Sequence, residues 1–201
     1  MTRRITHALF ATAFAFVSAC TGSAVRSDAP AGAPPMPDAH ALFARALQAQ
    51  EAGERGQAEA LWKQVIAVAP DRAEPLTNLG VVYRTSGRID DAIREYEAAI
   101  RLDPTDAVTY HNLGLAHRAR GAWADAERAY RRALELRPEQ AETHYNLAIL
   151  YDLFLNRPED ALTQYRAVLS LGGPDADSVA QWIKTLERRL AQREPAASGA
   201  P

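Results

Sequence analysis

The side chains best suited to chemistry recur thirty-four residues apart. Asn78, Asn112 and Asn146 stand at that spacing. Asparagine is disfavoured inside helices because its amide competes for backbone hydrogen bonds, so three in register call for a reason. An amide both donates and accepts, so a ladder of them could hydrogen-bond an extended backbone or bond between neighbouring repeats. Around each asparagine lie further columns of the same period. One runs Thr77, His111, Tyr145; one Val81, Leu115, Ile149; one Arg84, Arg118, Asp152. Other constellations are missing. His7, His40, His111, His117 and His144 show no metal spacing with Cys20, the single cysteine. No Gly-rich phosphate loop and no nucleophile elbow occurs. No cofactor, metal, catalytic group or small-molecule substrate is therefore expected, and the reading is a non-enzyme. The net charge of −2 gives no electrostatic case for nucleic acid.

These columns need a scaffold that repeats every thirty-four residues. Asn78-Leu79-Gly80 returns as Asn112-Leu113-Gly114, Gly87 as Gly121, Tyr96 as Tyr130, and Pro104 as Pro138. A fixed period of this size marks a stacked-repeat architecture. The units are 39–72, 73–106, 107–140 and 141–174. Position 8 of the unit holds Ala46, Gly80, Gly114 and Ala148, and position 20 holds Ala58, Ala92 and Ala126. Such small residues let two helices approach closely. Position 24 holds Trp62, Tyr96 and Tyr130, rings that fill the space left. Gly53, Gly87 and Gly121 fit a helix end that needs a left-handed residue, and the prolines at position 32 stop the second helix. Each unit is thus expected to be helix A (positions 2–14), a turn, then helix B (positions 17–30). The acidic residues opening the B helices complement the helix dipole.

This pattern resembles the tetratricopeptide repeat (TPR) family, matching units two and three almost completely. Unit one is weaker, with Arg45 and Ala49 where the family has Leu and Tyr. In unit four, Ala161 and Tyr165 arrive one residue late, and the extra residue is expected in the turn Leu155-Asn156-Arg157-Pro158. His117 stands where Tyr83 and Tyr151 stand, which suits a packed residue rather than a ligand. The resemblance implies an all-α, right-handed α-solenoid. After it, Val179, Trp182, Ile183, Leu186 and Leu190 predict an amphipathic capping helix over 175–193. The family's fold further implies a concave surface lined by positions 2, 5, 6, 9, 12 and 13 of helix A. The peptide groove would then comprise Asn78, Asn112, Asn146, Val81, Leu115, Ile149, Thr77, His111, Tyr145, Arg84 and Arg118. Amides would bond a peptide backbone, position 9 would meet its side chains, and the two arginines would favour acidic ones. The carboxylate clamp of heat-shock co-chaperones does not fit, since its places hold Thr77, Val81, Glu142 and Asn146.

The first residues carry a cellular address. Arg3 and Arg4 precede an apolar run from Ile5 to Val17, too short to cross a bilayer core of about 30 Å. Val17-Ser18-Ala19-Cys20 then resembles the bacterial lipobox, which implies cleavage before Cys20 and acylation of it. The expected layout is a signal over 1–19, a Pro/Gly/Ala tether over 20–38, and a disordered tail over 194–201. Thr21, where inner-membrane lipoproteins tend to carry Asp, implies the outer membrane facing the periplasm. The function expected is a lipid-anchored adaptor that binds a protein segment in its groove to assemble a larger complex. The alternative is a self-associating TPR oligomer, against which the capping helix argues by covering one end of the stack.

Overall fold

The computed structural model describes residues 38–193. The signal, Cys20, most of the tether and the tail lie outside the described residues. Among the described residues all regular structure is helical. The A helices are α1 (Ala39–Glu51), α3 (Ala73–Thr85), α5 (Ala107–Arg120) and α7 (Ala141–Ile149). The B helices are α2 (Arg55–Val68), α4 (Ile89–Leu102), α6 (Trp123–Leu136) and α8 (Pro158–Ser170), followed by α9 (Ala176–Arg193). Each A helix packs on its own B helix, each B helix on the next A helix, and α8 on α9. This is the all-α repeat solenoid.

Local chemistry sets the boundaries. The Asp38 carboxylate accepts from His40 N at 3.0 Å, and Asp106 accepts from Val108 N at 2.9 Å, capping α1 and α5. Gly53, Gly87 and Gly121 turn the chain at φ +75°, +78° and +81°, a region that costs other residues free energy. The B helices end at Val68, Leu102 and Leu136, two residues before each proline.

Inside each unit a small residue on helix A faces a ring on helix B. A Cβ added at Gly80 would lie 2.5 Å from Tyr96 Cε1, and one at Gly114 2.5 Å from Tyr130 Cδ1. Ala58, Ala92, Ala126 and Ala161 are fully buried, as are Trp62, Tyr96 and Tyr130. The spacing of Ala92, Ile93, Tyr96 and Ala99 along α4 presents one continuous buried stripe. The core falls into two clusters. The first joins α1 to α4 with Leu113, Ala116 and Ala129. The second joins Ala126 and Tyr130 to α7, α8 and α9.

The extra residue of unit four is not in the turn, contrary to the sequence expectation. It widens the end of helix A into a π-helical turn, Leu150–Phe154. There Leu155 N donates to Leu150 O at 3.0 Å, five residues back. The reason lies just downstream. Asn156 takes φ +49°, the place glycine holds in the other units, and Pro158 opens α8. The turn keeps its length, so the helix absorbs the insertion.

Candidate functional site: the face of the A helices

Asn78, Asn112 and Asn146 are each half-buried along the A helices. Asn146 Nδ2 donates to Glu142 O of its own helix at 2.8 Å. Among the described residues none of the three amides bonds an adjacent repeat. Val81, Leu115 and Ile149, one turn on, are half-buried beside them.

Position 5 is different, and corrects the expectation that Thr77 and His111 line the groove. Both are buried, at 7% exposure each. They are spent between repeats. Thr77 Oγ1 lies 2.6 Å from Thr109 Oγ1, and His111 Nδ1 lies 2.7 Å from Thr143 Oγ1. The first direction is fixed by chemistry: Thr109 Oγ1 donates to the Asp106 carboxylate at 2.5 Å, so its oxygen accepts from Thr77. Burial, with the charges of Arg84 and Arg118, pushes the His111 imidazole down to about 4. It is neutral at physiological pH. Tyr145, third in this column, is half-buried, and its hydroxyl donates to Asp175 Oδ2 at 3.1 Å just before α9. Its ring centroid is 6.1 Å from that of Trp182. Position 5 therefore fastens unit two to three, unit three to four, and unit four to the segment before α9.

Position 12 carries the charge. Arg84 and Arg118 are half-buried, and neither forms an ion pair among the described residues. Asp152, at the same place in unit four, receives Arg189 Nη2 from α9 at 2.6 Å. The capping helix thus neutralises the acid at its end of the column. Burial pushes the Tyr96 and Tyr130 hydroxyls up to about 12. The opposing pull comes from Arg84 on Tyr96, and from Arg118 and Arg84 on Tyr130.

A second arrangement, outside the sequence expectation, lies on the junctions. Tyr83 OH donates to Glu59 Oε1 at 3.3 Å, Arg88 Nη1 pairs with the same carboxylate at 3.1 Å, and the Arg88 guanidinium lies 4.1 Å from the Tyr83 ring centroid. Tyr151, Glu127 and Arg157 repeat this, with Tyr151 OH to Glu127 at 3.0 Å, Arg157 to Glu127 at 2.8 Å and 4.5 Å to the ring. The signal was present as Glu59 and Glu127 at one position of alternate units.

Sequence and fold comparisons agree on the family. Models of the TPR repeat match residues 82–119 and 105–172. The chain is a tetratricopeptide-repeat protein. TPR folds are scaffolds for protein–protein interaction, and TPR proteins are generally not enzymes. Among solved structures, MamA is 22% identical over 80% of this chain and 98% of its own, with a TM-score of 0.62. A thermophilic TPR protein of Thermus thermophilus is 25% identical over 75% and 82%, TM-score 0.62. PilF of Pseudomonas aeruginosa is 22% identical over 77% and 69%, TM-score 0.68. At such identities MamA and PilF speak for the TPR fold alone. No curated protein sequence matches. Among the described residues no helix is long and apolar enough to cross a membrane, and no group of His, Cys, Asp and Glu could hold a metal ion.

Proposed function

We propose that this protein is a lipid-anchored TPR adaptor that binds a segment of another protein along the face of its A helices. The anchor is acylated Cys20, and the folded part works from the outer membrane towards the periplasm. One observation carries the groove: the asparagine column is half-exposed, and its amides bond no neighbouring repeat. Packing between repeats therefore leaves the Asn78 and Asn112 amides, and the Asn146 oxygen, to serve a ligand backbone, which needs both donors and acceptors. Val81, Leu115 and Ile149 supply apolar contact, and Arg84 and Arg118 supply charge. Thr77 and His111 lie beneath as fasteners, and Tyr145 is tied to the cap. The lipobox at Val17 to Cys20, the short apolar run before it and the tether behind it support the anchor.

The test compares the wild type with an Asn78→Ala/Asn112→Ala/Asn146→Ala variant in capture from an envelope extract. The expected result is loss of the captured partner at an unchanged melting temperature. A lower melting temperature with capture intact would make the amides structural. Mass spectrometry of the mature N-terminus tests the anchor separately; an unmodified Cys20 refutes it.

A further inference from the structure

The turns that join helix A to helix B lie along one edge of the stack, because the two helices of each unit run in opposite directions. In units one to three these turns close on Gly53, Gly87 and Gly121. Unit four differs. Its π-helical turn Leu150–Phe154 widens the end of helix A and sends two large apolar side chains outward. Leu153 is 69% exposed, more than any other large apolar side chain among the described residues, and Phe154 is 43% exposed. Turns of this kind cluster at functional sites, and a contiguous exposed apolar patch marks an interaction surface. The patch has a firm base. Phe154 stacks on Trp123 of the unit-three turn, with ring centroids 4.4 Å apart and planes 28° from parallel. Trp123 and Leu155 are half-buried against the core cluster beneath.

A basic helix end arrives at the same edge. α9 runs past the π-turn, where Arg189 Nη2 donates to Asp152 Oδ1 at 2.6 Å. Asp152 is the residue before Leu153. From Lys184 to Arg193, α9 carries four cations and one acid, Glu187, and that acid is held by Arg166 at 2.7 Å. Lys184 and Arg188, one turn apart, are exposed and form no ion pair among the described residues. Around the apolar patch the charges cancel: Arg157 pairs with Glu127 and Asp160, and Arg128 with Asp125.

We propose that this corner of the solenoid rests on a lipid bilayer containing anionic headgroups, with Leu153, Phe154 and Trp123 entering the interface and Lys184 and Arg188 meeting the headgroups. Tryptophan, phenylalanine and leucine beside lysine and arginine are the side chains that hold proteins at a bilayer surface. Two features favour a bilayer over a protein. The apolar side chains protrude rather than line a groove, which suits a fluid phase. They are also few, where a specific protein interface takes about 20–30 residues a side. The inference rests on the anchor reading above, since acylated Cys20 keeps this corner within reach of the bilayer. The eighteen residues from Cys20 to Pro37 reach at most about 60 Å, against about 21 Å for the length of a fourteen-residue helix such as α5. Confinement of this kind lets a patch too weak to bind alone stay engaged. The contact orients the solenoid, setting the turn edge of units three and four against the membrane.

The test uses the full chain reconstituted into phosphatidylcholine vesicles whose acyl chains are brominated just below the headgroup, so that tryptophan at the interface is quenched relative to unbrominated vesicles. Trp62 is fully buried, and a Trp123→Phe variant separates Trp123 from Trp182. The wild type should be quenched, and Trp123→Phe should lose most of that quenching. Leu153→Ser/Phe154→Ser should lose it too while staying vesicle-bound through Cys20, at an unchanged melting temperature because both side chains are exposed. Adding phosphatidylglycerol should raise the ratio of quenched to free Trp123 about fivefold for each cation, and Lys184→Gln/Arg188→Gln should remove that rise. A rise that survives the double substitution overturns the part of α9. Absence of Trp123 quenching in both lipid mixtures overturns the inference. If Trp123 is then shielded from aqueous acrylamide only when envelope proteins are added, the patch belongs to a protein partner. Mass spectrometry of Cys20 reads the anchor separately. An acylated chain without quenching overturns only the patch, quenching with an unmodified Cys20 overturns only the anchor, and no quenching with an unmodified Cys20 overturns both.

Discussion

The junctions of this solenoid are of two kinds. Units one and two, and units three and four, are joined by the same arrangement of tyrosine, glutamate and arginine. At the junction between units two and three, those three places hold His117, Ile93 and Ala122. An apolar contact and a titratable ring replace a set of charge-assisted hydrogen bonds. His117 is 8% exposed, and Ile93 4%. The two core clusters also change over in unit three. The molecule is thus built as two alike pairs of repeats, with a differently made joint between them. The joint also falls between the half-buried Arg84 and Arg118.

Acid should break this comparison with the largest effect. Burial holds His111 at about 4, well below its ordinary 6.5. His117 is lowered in the same direction, first by burial, with Asp125 and Glu97 opposing and Arg120 and Arg128 assisting. The folded state therefore binds fewer protons than the unfolded chain in this range. Stability is full above pH 6.5 and falls as pH drops towards 4. His111 alone should cost about 3 kcal/mol by the bottom of that window. Urea denaturation at pH 7.5 and at pH 4.5 measures it. His111→Gln should remove most of the acid loss. His117→Tyr, which installs the ring found at the other junctions, should remove the remainder. A stability unchanged across that range would refute the burial of both rings.

The next effect separates middle units from end units. The middle units carry glycine at position 8 and the end units alanine, yet all four pack a ring at position 24. A Cβ at Gly114 would sit 2.5 Å from both Cδ1 and Cε1 of Tyr130 and 3.0 Å from Cγ. The clash is with the body of a ring, which cannot swing aside like a flexible chain end. Gly114→Ala should destabilise by about 1–2 kcal/mol, overpacking outweighing a propensity gain of about 1 kcal/mol. Ala148→Gly in unit four has no such relief to offer: it loses about 1 kcal/mol of helix propensity and a fully buried methyl group, and should cost about 2 kcal/mol. A Gly114→Ala variant that melts higher than wild type would show that the ring can retreat.

Much of this was legible in the sequence, for a physical reason. Gly80 and Gly114 inside helices, with Tyr96 and Tyr130 sixteen residues on, have only one economical explanation, a ring crossing a bare backbone. The left-handed glycines likewise announced the helix ends. Two things were not legible. Periodicity places Thr77 and His111 on the same face as Asn78 and Asn112. It does not say how far the next A helix covers that face, and the cover buried position 5 while leaving position 6 half-open. The insertion in unit four was misplaced because Asn156 does not look like a glycine. Its positive φ fixes the turn, and the surplus residue is pushed back into α7. The bond between position 24 and position 12 of unit one, Trp62 Nε1 to Gln50 Oε1, spans two helices and has no local signature.

The smallest effect tests whether the two like junctions are alike in energy. Glu127 accepts from Tyr151 and Arg157 together, and Glu59 from Tyr83, Arg88 and Lys63. Glu127 is 18% exposed against 26% for Glu59. Charge-assisted bonds weaken with solvent access, and exposed pairs contribute little. Glu127→Ala should therefore cost about 1 kcal/mol and Glu59→Ala about half of that. Double-mutant cycles with Tyr151→Phe and Tyr83→Phe would isolate the couplings. In 1 M salt the Glu59 loss should shrink more than the Glu127 loss, because screening acts first on the more accessible pair. Equal losses at both salt concentrations would mean that the hydroxyl bonds, not the arginines, hold the two junctions. In that case the joint between units two and three differs from its neighbours chiefly in lacking a tyrosine hydroxyl, and His117→Tyr paired with Ile93→Gln, which supplies a neutral acceptor, should recover the coupling.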